Sequence, residues 1–265
     1  MSLALAKYLA AIREGKPINY SAFLKQLPPD LVARHRDCFE LDRVSQQRWR
    51  VTCRDEAVMT ELERLAQAPS SRRDAALQGD SHRRVTATAF VLVYHDALAD
   101  PRPDVACLTA GASHIGFTPK STALVIENED NFAQYRQMLA FAGTCLGETL
   151  SLATCDVILG GGHRVLREPV TDWLAGYERI HCAFDYDLGG LKMFQALQAR
   201  LGDRMRFLQP PDWAPYRDGF QKTPQTPQRL MDAINRASTL GFAGLASLFS
   251  ETRKFMEQEI ILDEH

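Results

Sequence analysis

The chain has 265 residues, enough for one large domain or two modest ones. With 45% hydrophobic and 24% charged residues it has the composition of an ordinary soluble globular protein. No apolar run approaches the roughly 20 residues that span a bilayer, and a net charge of −2 gives no whole-molecule attraction to a polyanion.

Met1-Ser2-Leu3-Ala4-Leu5-Ala6-Lys7 lacks a basic segment followed by a long apolar stretch and a cleavage site, the pattern of mature cytoplasmic sequence. The six cysteines (Cys38, Cys53, Cys107, Cys145, Cys155 and Cys182) form no C-x-x-C pair and no Cys/His cluster with zinc spacing. They read as buried free thiols in a reducing compartment. Charge is unevenly spread: residues 1–85 carry 15 Lys/Arg against 11 Asp/Glu, and residues 86–265 carry 16 against 22. A DNA-gripping module joined to a metal-binding one gives such a split, and so does chance.

In chain order, residues 3–13 predict an amphipathic helix with Leu3, Leu5, Tyr8, Leu9 and Ile12 apolar. Ser21 is the expected N-cap of a second helix, stopped by Pro28-Pro29, and Asp30 that of a third, running to about Arg36. Phe39-Glu40-Leu41-Asp42 and Trp49-Arg50-Val51-Thr52-Cys53 alternate apolar and polar residues around Ser45-Gln46-Gln47-Arg48, which predicts a β-hairpin. Asp55 to Ala66 is helical again. Three helices, a hairpin and a helix make a winged-helix-like domain over residues 1–66. Arg43, Arg48 and Arg50 lie on or beside the hairpin. They read as phosphate contacts, or as a solvated or protein-docking wing.

Residues 67–84 are polar and basic and read as a linker. Residues 85–265 read as an α/β domain with strands at Val85–Tyr94, Ala123–Ile126, Val157–Leu159, Ile180–Phe184 and Met205–Leu208. Asp100 to Asp104 reads as a turn. Helices are expected at 131–141, 169–175, 190–201, 225–239 and 243–259. Such alternation predicts a parallel sheet flanked by helices on both faces.

Ligands of such sheets bind beyond the carboxyl ends of the strands. One strand ends in Glu127-Asn128-Glu129, one in Gly160-Gly161-Gly162, and one in Asp185-Tyr186-Asp187-Leu188-Gly189-Gly190. In extended chain, residues i and i+2 point the same way, so Asp185 and Asp187 can converge on one hard cation such as Mg²⁺. Glu127 would complete the acidic cluster. Gly189 and Gly190 would let a phosphate approach the backbone at a helix N-terminus. Gly161 and Gly162, followed by His163 and Arg164, could do likewise. Alone, Asp-x-Asp is a common surface turn, Glu127 a helix-capping candidate and the triple glycine a tight turn. Together at successive strand ends they point to phosphoryl-transfer chemistry.

These segments resemble the Toprim domain shared by topoisomerases, primases and some nucleases. The likeness is greatest to the topoisomerase VI A-subunit branch, and within it to the nuclease-subunit family of the Wadjet (MksBEFG) plasmid-defence system (JetD/MksG-like). Val125-Ile126-Glu127-Asn128-Glu129-Asp130-Asn131-Phe132 is similar to that group's V-x-E-N-x-x-x-F segment. Ile158-Leu159-Gly160-Gly161-Gly162 is similar to its glycine-rich second strand end, and Phe184-Asp185-Tyr186-Asp187-Leu188-Gly189-Gly190-Leu191 to its D-x-D-x-x-G-L segment. Glu257-Gln258-Glu259 is similar to a closing E-Q-E.

The resemblance covers residues 120–265, and the first 66 residues only as architecture. It implies a Toprim domain and a DNA endonuclease with Mg²⁺ or Mn²⁺ at Glu127, Asp185 and Asp187. Glu257 or Glu259 would be a further acidic group or a solvated helix face, with Glu259 taken as the additional metal-site candidate. It also implies plasmid DNA and a MukB/MksB-type SMC-like condensin as partners, in the cytoplasm with the nucleoid. A homodimer would allow both strands to be cut. The chain is shorter than that family leads one to expect. Tyr8 and Tyr20 sit in no motif like that of the topoisomerase tyrosine, so hydrolysis by water is the expected route rather than transesterification. A non-catalytic DNA-binding adaptor is the remaining alternative.

Overall fold

The structure is a computed structural model that describes residues 3–66, 88–98 and 102–262. The chain divides into two compact units, Met1–Thr86 and Ala87–His265. The expected linker over 67–84 and the start of the strand expected from Val85 lie outside the described residues.

In the first unit α1 (Leu3–Arg13) buries Leu5, Leu9 and Ile12, the i, i+4, i+7 stripe that its sequence predicts. The helix α2 (Tyr20–Leu24) is capped by Asn19, whose side-chain oxygen accepts the Ala22 N–H at 3.1 Å. Ser21 therefore lies inside the helix and does not cap it. The third expected helix is two short ones, α3 (Pro29–Ala33) and α4 (His35–Cys38), broken at Arg34. Pro28, not Asp30, precedes the first turn, and the proline at N1 starts it.

β1 (Phe39–Arg43) and β2 (Trp49–Cys53) form the expected antiparallel hairpin, in register from Phe39 opposite Cys53 to Arg43 opposite Trp49. Ile18 adds a single antiparallel bridge to Trp49. With α5 (Glu56–Ala66), these elements enclose one apolar core that includes Leu5, Phe23, Phe39, Val51, Met59 and Leu62.

The second unit is built on a seven-stranded sheet in the order β5-β4-β3-β7-β6-β8-β9. Its strands are β3 (Thr88–Tyr94), β4 (Asp104–Thr109), β5 (Ala112–His114), β6 (Thr122–Ile126), β7 (Cys155–Leu159), β8 (Arg179–Ala183) and β9 (Met205–Phe207).

 β7, β6, β8 and β9 run parallel, whereas β3, β4 and β5 extend the sheet antiparallel beyond β7. The sheet is thus mixed, not all parallel as expected. The turn expected up to Asp104 ends before that residue, which already begins β4.

β6 and β7 are buried along their whole length, as strands covered on both faces must be. Alternate residues serve two cores. Ala123 and Val125 join the core that takes in α8 (Glu168–Leu174), α9 (Leu188–Leu201), α10 (Pro227–Thr239) and α11 (Ala243–Thr252). Leu124 and Ile126 join the core that takes in α6 (Glu129–Ala133) and α7 (Tyr135–Leu146). The single helix expected over 131–141 is these last two, divided at Gln134.

The helix expected to run to 259 stops at Thr252, because Arg253 turns left-handed at φ 57°. The chain then runs extended through Phe255 and Met256 into a 3₁₀ turn, Gln258–Ile261. All six cysteines are free. Among the described residues no helix is long and apolar enough to cross a membrane.

Candidate active site

Parallel strands in register deliver their C-terminal residues to the same edge. Ile126 of β6 lies opposite Ala183 of β8, and the Glu127 N–H continues the ladder to the Ala183 carbonyl at 2.9 Å. The Glu127 side chain then turns toward the end of β8, where its Oε2 accepts the Asp185 N–H at 2.9 Å. Asn128, next in the chain, caps α6 by accepting the Asn131 N–H at 2.9 Å. Capping there thus falls to Asn128, and the Glu127 carboxylate is directed at the third strand end.

Asp185 and Asp187 are fixed in the same manner as each other. Asp185 Oδ1 accepts the Gln258 N–H, and Asp187 Oδ1 caps α9 by accepting the Gly190 N–H, each at 2.9 Å. The other oxygen of each faces one ammonium: Lys222 Nζ is 3.9 Å from Asp185 Oδ2 and 3.5 Å from Asp187 Oδ2. The i, i+2 spacing has therefore put both carboxylates toward one cationic point. Lys222 also pairs with Glu257 Oε1 at 2.8 Å.

Two backbone bridges bring Lys222 and Glu257 to the strand ends. Lys222 and Phe255 exchange N–H···O bonds of 3.0 and 2.8 Å, and Tyr186 and Met256 exchange bonds of 3.0 and 3.2 Å. Tyr186 anchors the junction: its side chain is fully buried and its hydroxyl donates to the Leu208 carbonyl at 3.1 Å.

The electrostatics of the cluster follow from burial and an excess of acid. Burial pushes the Glu127 carboxyl up to about 7; the bond from the Asp185 amide opposes this, and the charges of Asp185 and Asp187 reinforce it. Burial likewise raises Asp185 to about 6, opposed by the Gln258 amide and reinforced by Asp187 and Glu259. Partial burial works against the Lys222 ammonium. Its bond to Glu257 and the attraction of Asp187 and Asp185 outweigh that, so its pKa is raised.

The donor set suits a hard divalent ion in its chemistry. It consists of carboxylate oxygens, two of them already facing a shared positive charge, with the single ammonium of Lys222 set against the three acids Glu127, Asp185 and Asp187. As the side chains stand, among the described residues no three His, Cys, Asp or Glu groups are grouped to hold a metal ion. Lys222 is the cation that the two aspartates share.

The remaining residues expected at the site fall into three groups. Gly161 and Gly162 take left-handed φ of 61° and 60°, so the turn after β7 needs glycine. The Gly160 N–H reaches the Ile126 carbonyl at 2.7 Å and the Gly162 N–H reaches the Glu127 carbonyl at 3.3 Å, which pins this turn beside Glu127. His163 is exposed. Arg164 is exposed too and folds back, donating from Nε to the Gly161 carbonyl at 3.3 Å and standing 3.8 Å from Glu129.

Gly190 serves packing: a Cβ there would lie 2.2 Å from the Asp185 carbonyl oxygen. Its N–H is taken by Asp187. At Gly189 a Cβ would meet Asp187 Oδ1 at 3.1 Å. Glu259 is exposed on the 3₁₀ turn beside Asp185, where its charge is felt, while Glu257 pairs with Lys222.

Arg48 and Arg50 belong to the first unit, where they donate to the Pro17 and Gly15 carbonyls at 3.1 and 3.3 Å. Arg43 lies over the Trp49 ring, 5.9 Å from its centroid. Tyr20 is buried, with its hydroxyl 2.8 Å from His35 Nδ1 and its pKa pushed up to about 12 by burial. Tyr8 packs edge-on against Phe23.

Sequence reasoning did not find Lys222 or the main-chain role of Gln258. No motif surrounds Lys222 in Phe220-Gln221-Lys222-Thr223-Pro224; only the pairing with Phe255 brings it to the aspartates. No family model matches the chain, and no curated protein is significantly similar to it.

Proposed function

We propose that the chain is a metal-dependent DNA endonuclease with a Toprim-type catalytic domain. In this reading Glu127, Asp185 and Asp187 hold Mg²⁺ or Mn²⁺. The observation that carries the reading is the meeting of two separate strand ends: Glu127 accepts the Asp185 amide, and Asp185 and Asp187 turn their free oxygens to one cation. A bound divalent ion would supply Lewis-acid polarisation of a phosphodiester and a hydrolytic water at neutral pH.

The chain's own groups have separate tasks in this scheme. The amides of Asp185, Gly190 and Gln258 fix one oxygen of each acid, so that few rotamers remain to be ordered when substrate arrives. The exposed His163 and Arg164, on the turn pinned beside Glu127, would receive a backbone phosphate. Direct hydrolysis is preferred over attack by tyrosine, because the Tyr20 hydroxyl is buried against His35.

The first unit would be the winged-helix-like part, its hairpin arginines contacting DNA or a partner protein. An SMC-like condensin of the MukB/MksB kind would deliver plasmid DNA, in the manner of Wadjet defence. The test is incubation of purified protein with supercoiled plasmid and Mn²⁺. Cleavage by the wild type, lost in Asp185→Ala/Asp187→Ala, is the expected result. Equal cleavage by both would overturn the assignment of these residues, and no cleavage by either would leave the chain a non-catalytic adaptor.

A further inference from the structure

The acids at the strand ends do not face open solvent alone; they face a lysine. Lys222 Nζ stands 3.5 Å from Asp187 Oδ2, 3.9 Å from Asp185 Oδ2 and 2.8 Å from Glu257 Oε1. We infer that Lys222 is an internal counter-cation, which orders the free oxygens of Asp185 and Asp187 in the metal-free protein and moves fully onto Glu257 when a divalent ion arrives. This inference rests on the metal-binding reading above and assigns the residue that regulates entry to that site.

The geometry carries it in three steps. First, Lys222 contacts only the oxygens that backbone amides leave free, since Oδ1 of each aspartate is already bonded to Gln258 or Gly190. Ammonium and divalent ion therefore compete for the same two atoms. A dication brings twice the charge to them, so it prevails once its concentration suffices.

Second, the Lys222 main chain is held on both its N–H and its carbonyl by Phe255. Displacement is then a matter of side-chain torsions and leaves the strand ends undisturbed. Third, the displaced ammonium keeps a partner. Glu257 is the nearest of the three acids and its side chain is 53% exposed, on the solvent side of the cluster. A lysine that only stapled surface groups together would have no reason to be shared between two acids at 14% and 18% exposure.

The experiment is calorimetric titration of Mn²⁺ into the full chain as wild type, Lys222→Gln, Lys222→Arg, Glu257→Gln and the Lys222→Gln/Glu257→Gln double variant. Melting temperature is followed with and without the ion. Lys222→Gln is expected to bind Mn²⁺ about tenfold more tightly, from the loss of one repelling charge, and to melt lower when metal-free. Lys222→Arg should remain close to wild type. Glu257→Gln should bind more weakly, because the lysine is pressed back onto the aspartates. In the Lys222→Gln background the same change should have little effect.

Unchanged or weaker binding by Lys222→Gln, with the wild type binding, overturns the competition and leaves the metal reading standing. Binding by none of the five proteins removes both. Circular dichroism identifies a Lys222→Gln protein that fails to fold. The comparison of Glu257→Gln with wild type then decides: weaker binding supports competition and equal binding overturns it.

Discussion

Gly190→Ala is predicted to destabilise the second unit by about 2 kcal/mol, combining overpacking with damage to a helix cap. The methyl group would sit 2.2 Å from the Asp185 carbonyl oxygen, 3.1 Å from its carbonyl carbon and 3.2 Å from its nitrogen. Carbon and oxygen normally approach no closer than about 3.3 Å, so α9 and the end of β8 must separate by about 1 Å. Neither yields easily. Asp185 is tied through its N–H to Glu127, and Tyr186 is bridged to Met256.

Overpacking of this kind costs about 1–3 kcal/mol, and the shift stretches the Asp187 cap on Gly190, itself about 1 kcal/mol. Alanine's better helix propensity returns about 1 kcal/mol at most, less than the two losses together. Urea denaturation followed by circular dichroism measures the difference, with Gly189→Ala as the control. At Gly189 the nearest atom is a side-chain oxygen, 3.1 Å away, and the cost should be well below that at Gly190. A Gly190→Ala protein as stable as wild type would show that the close approach of helix to strand end does not exist.

Three further predictions test other parts of the structure. His181 in β8 is buried with no hydrogen-bond partner for either ring nitrogen among the described residues, and burial, with Arg179 nearby, lowers its pKa to about 4. The unfolded chain, with an ordinary value near 6.5, then binds the extra proton first, so stability falls as pH drops through the window between the two. The loss should reach at most about 3 kcal/mol, and Leu at 181 should flatten the urea midpoint across that window; an unflattened profile would contradict the assignment.

Tyr177→Phe removes the 3.0 Å bond from the Tyr177 hydroxyl to the buried Asp156 carboxylate. It should cost about 1–3 kcal/mol in chemical denaturation, and a neutral result would mean that this bond is not made. Asn19→Ala should cost the first unit about 1 kcal/mol, whereas Ser21→Ala should stay within about 0.5 kcal/mol. The reverse order in thermal melts would restore Ser21 as the cap.

How much the sequence revealed depends on where the information lies. β6, β7 and β8 were legible because strands buried on both faces read as continuous apolar runs, such as Thr122-Ala123-Leu124-Val125-Ile126. Their ends are legible for the same reason, and the sequence alone puts Glu127, Asp185 and Asp187 at one edge. β4 and β5 were not. In β4 only Ala106 and Leu108 are buried, and β5 is three exposed residues, so their pairing depends on the neighbouring strand and not on their own pattern.

The helix end at Thr252 escaped for a different reason. The left-handed cap falls on Arg253, a residue type that seldom takes that conformation, and the following segment is fixed by pairing with Lys222 and Tyr186. Lys222 itself is a tertiary fact: it reaches Asp185 from 37 residues away in sequence, through that same pairing.

The most direct measurement is plasmid cleavage in Mn²⁺ by Glu127→Gln, which removes the carboxylate charge at the first strand end while keeping the side chain's size and an oxygen able to accept the Asp185 N–H. Asp172→Asn, at an exposed pair with Arg200, is the control. If acids from separate strands act on one ion, Glu127→Gln should remain folded and lose about a hundredfold or more in cleavage rate, with Asp172→Asn unaffected. A Glu127→Gln protein that cleaves as fast as wild type would contradict the site.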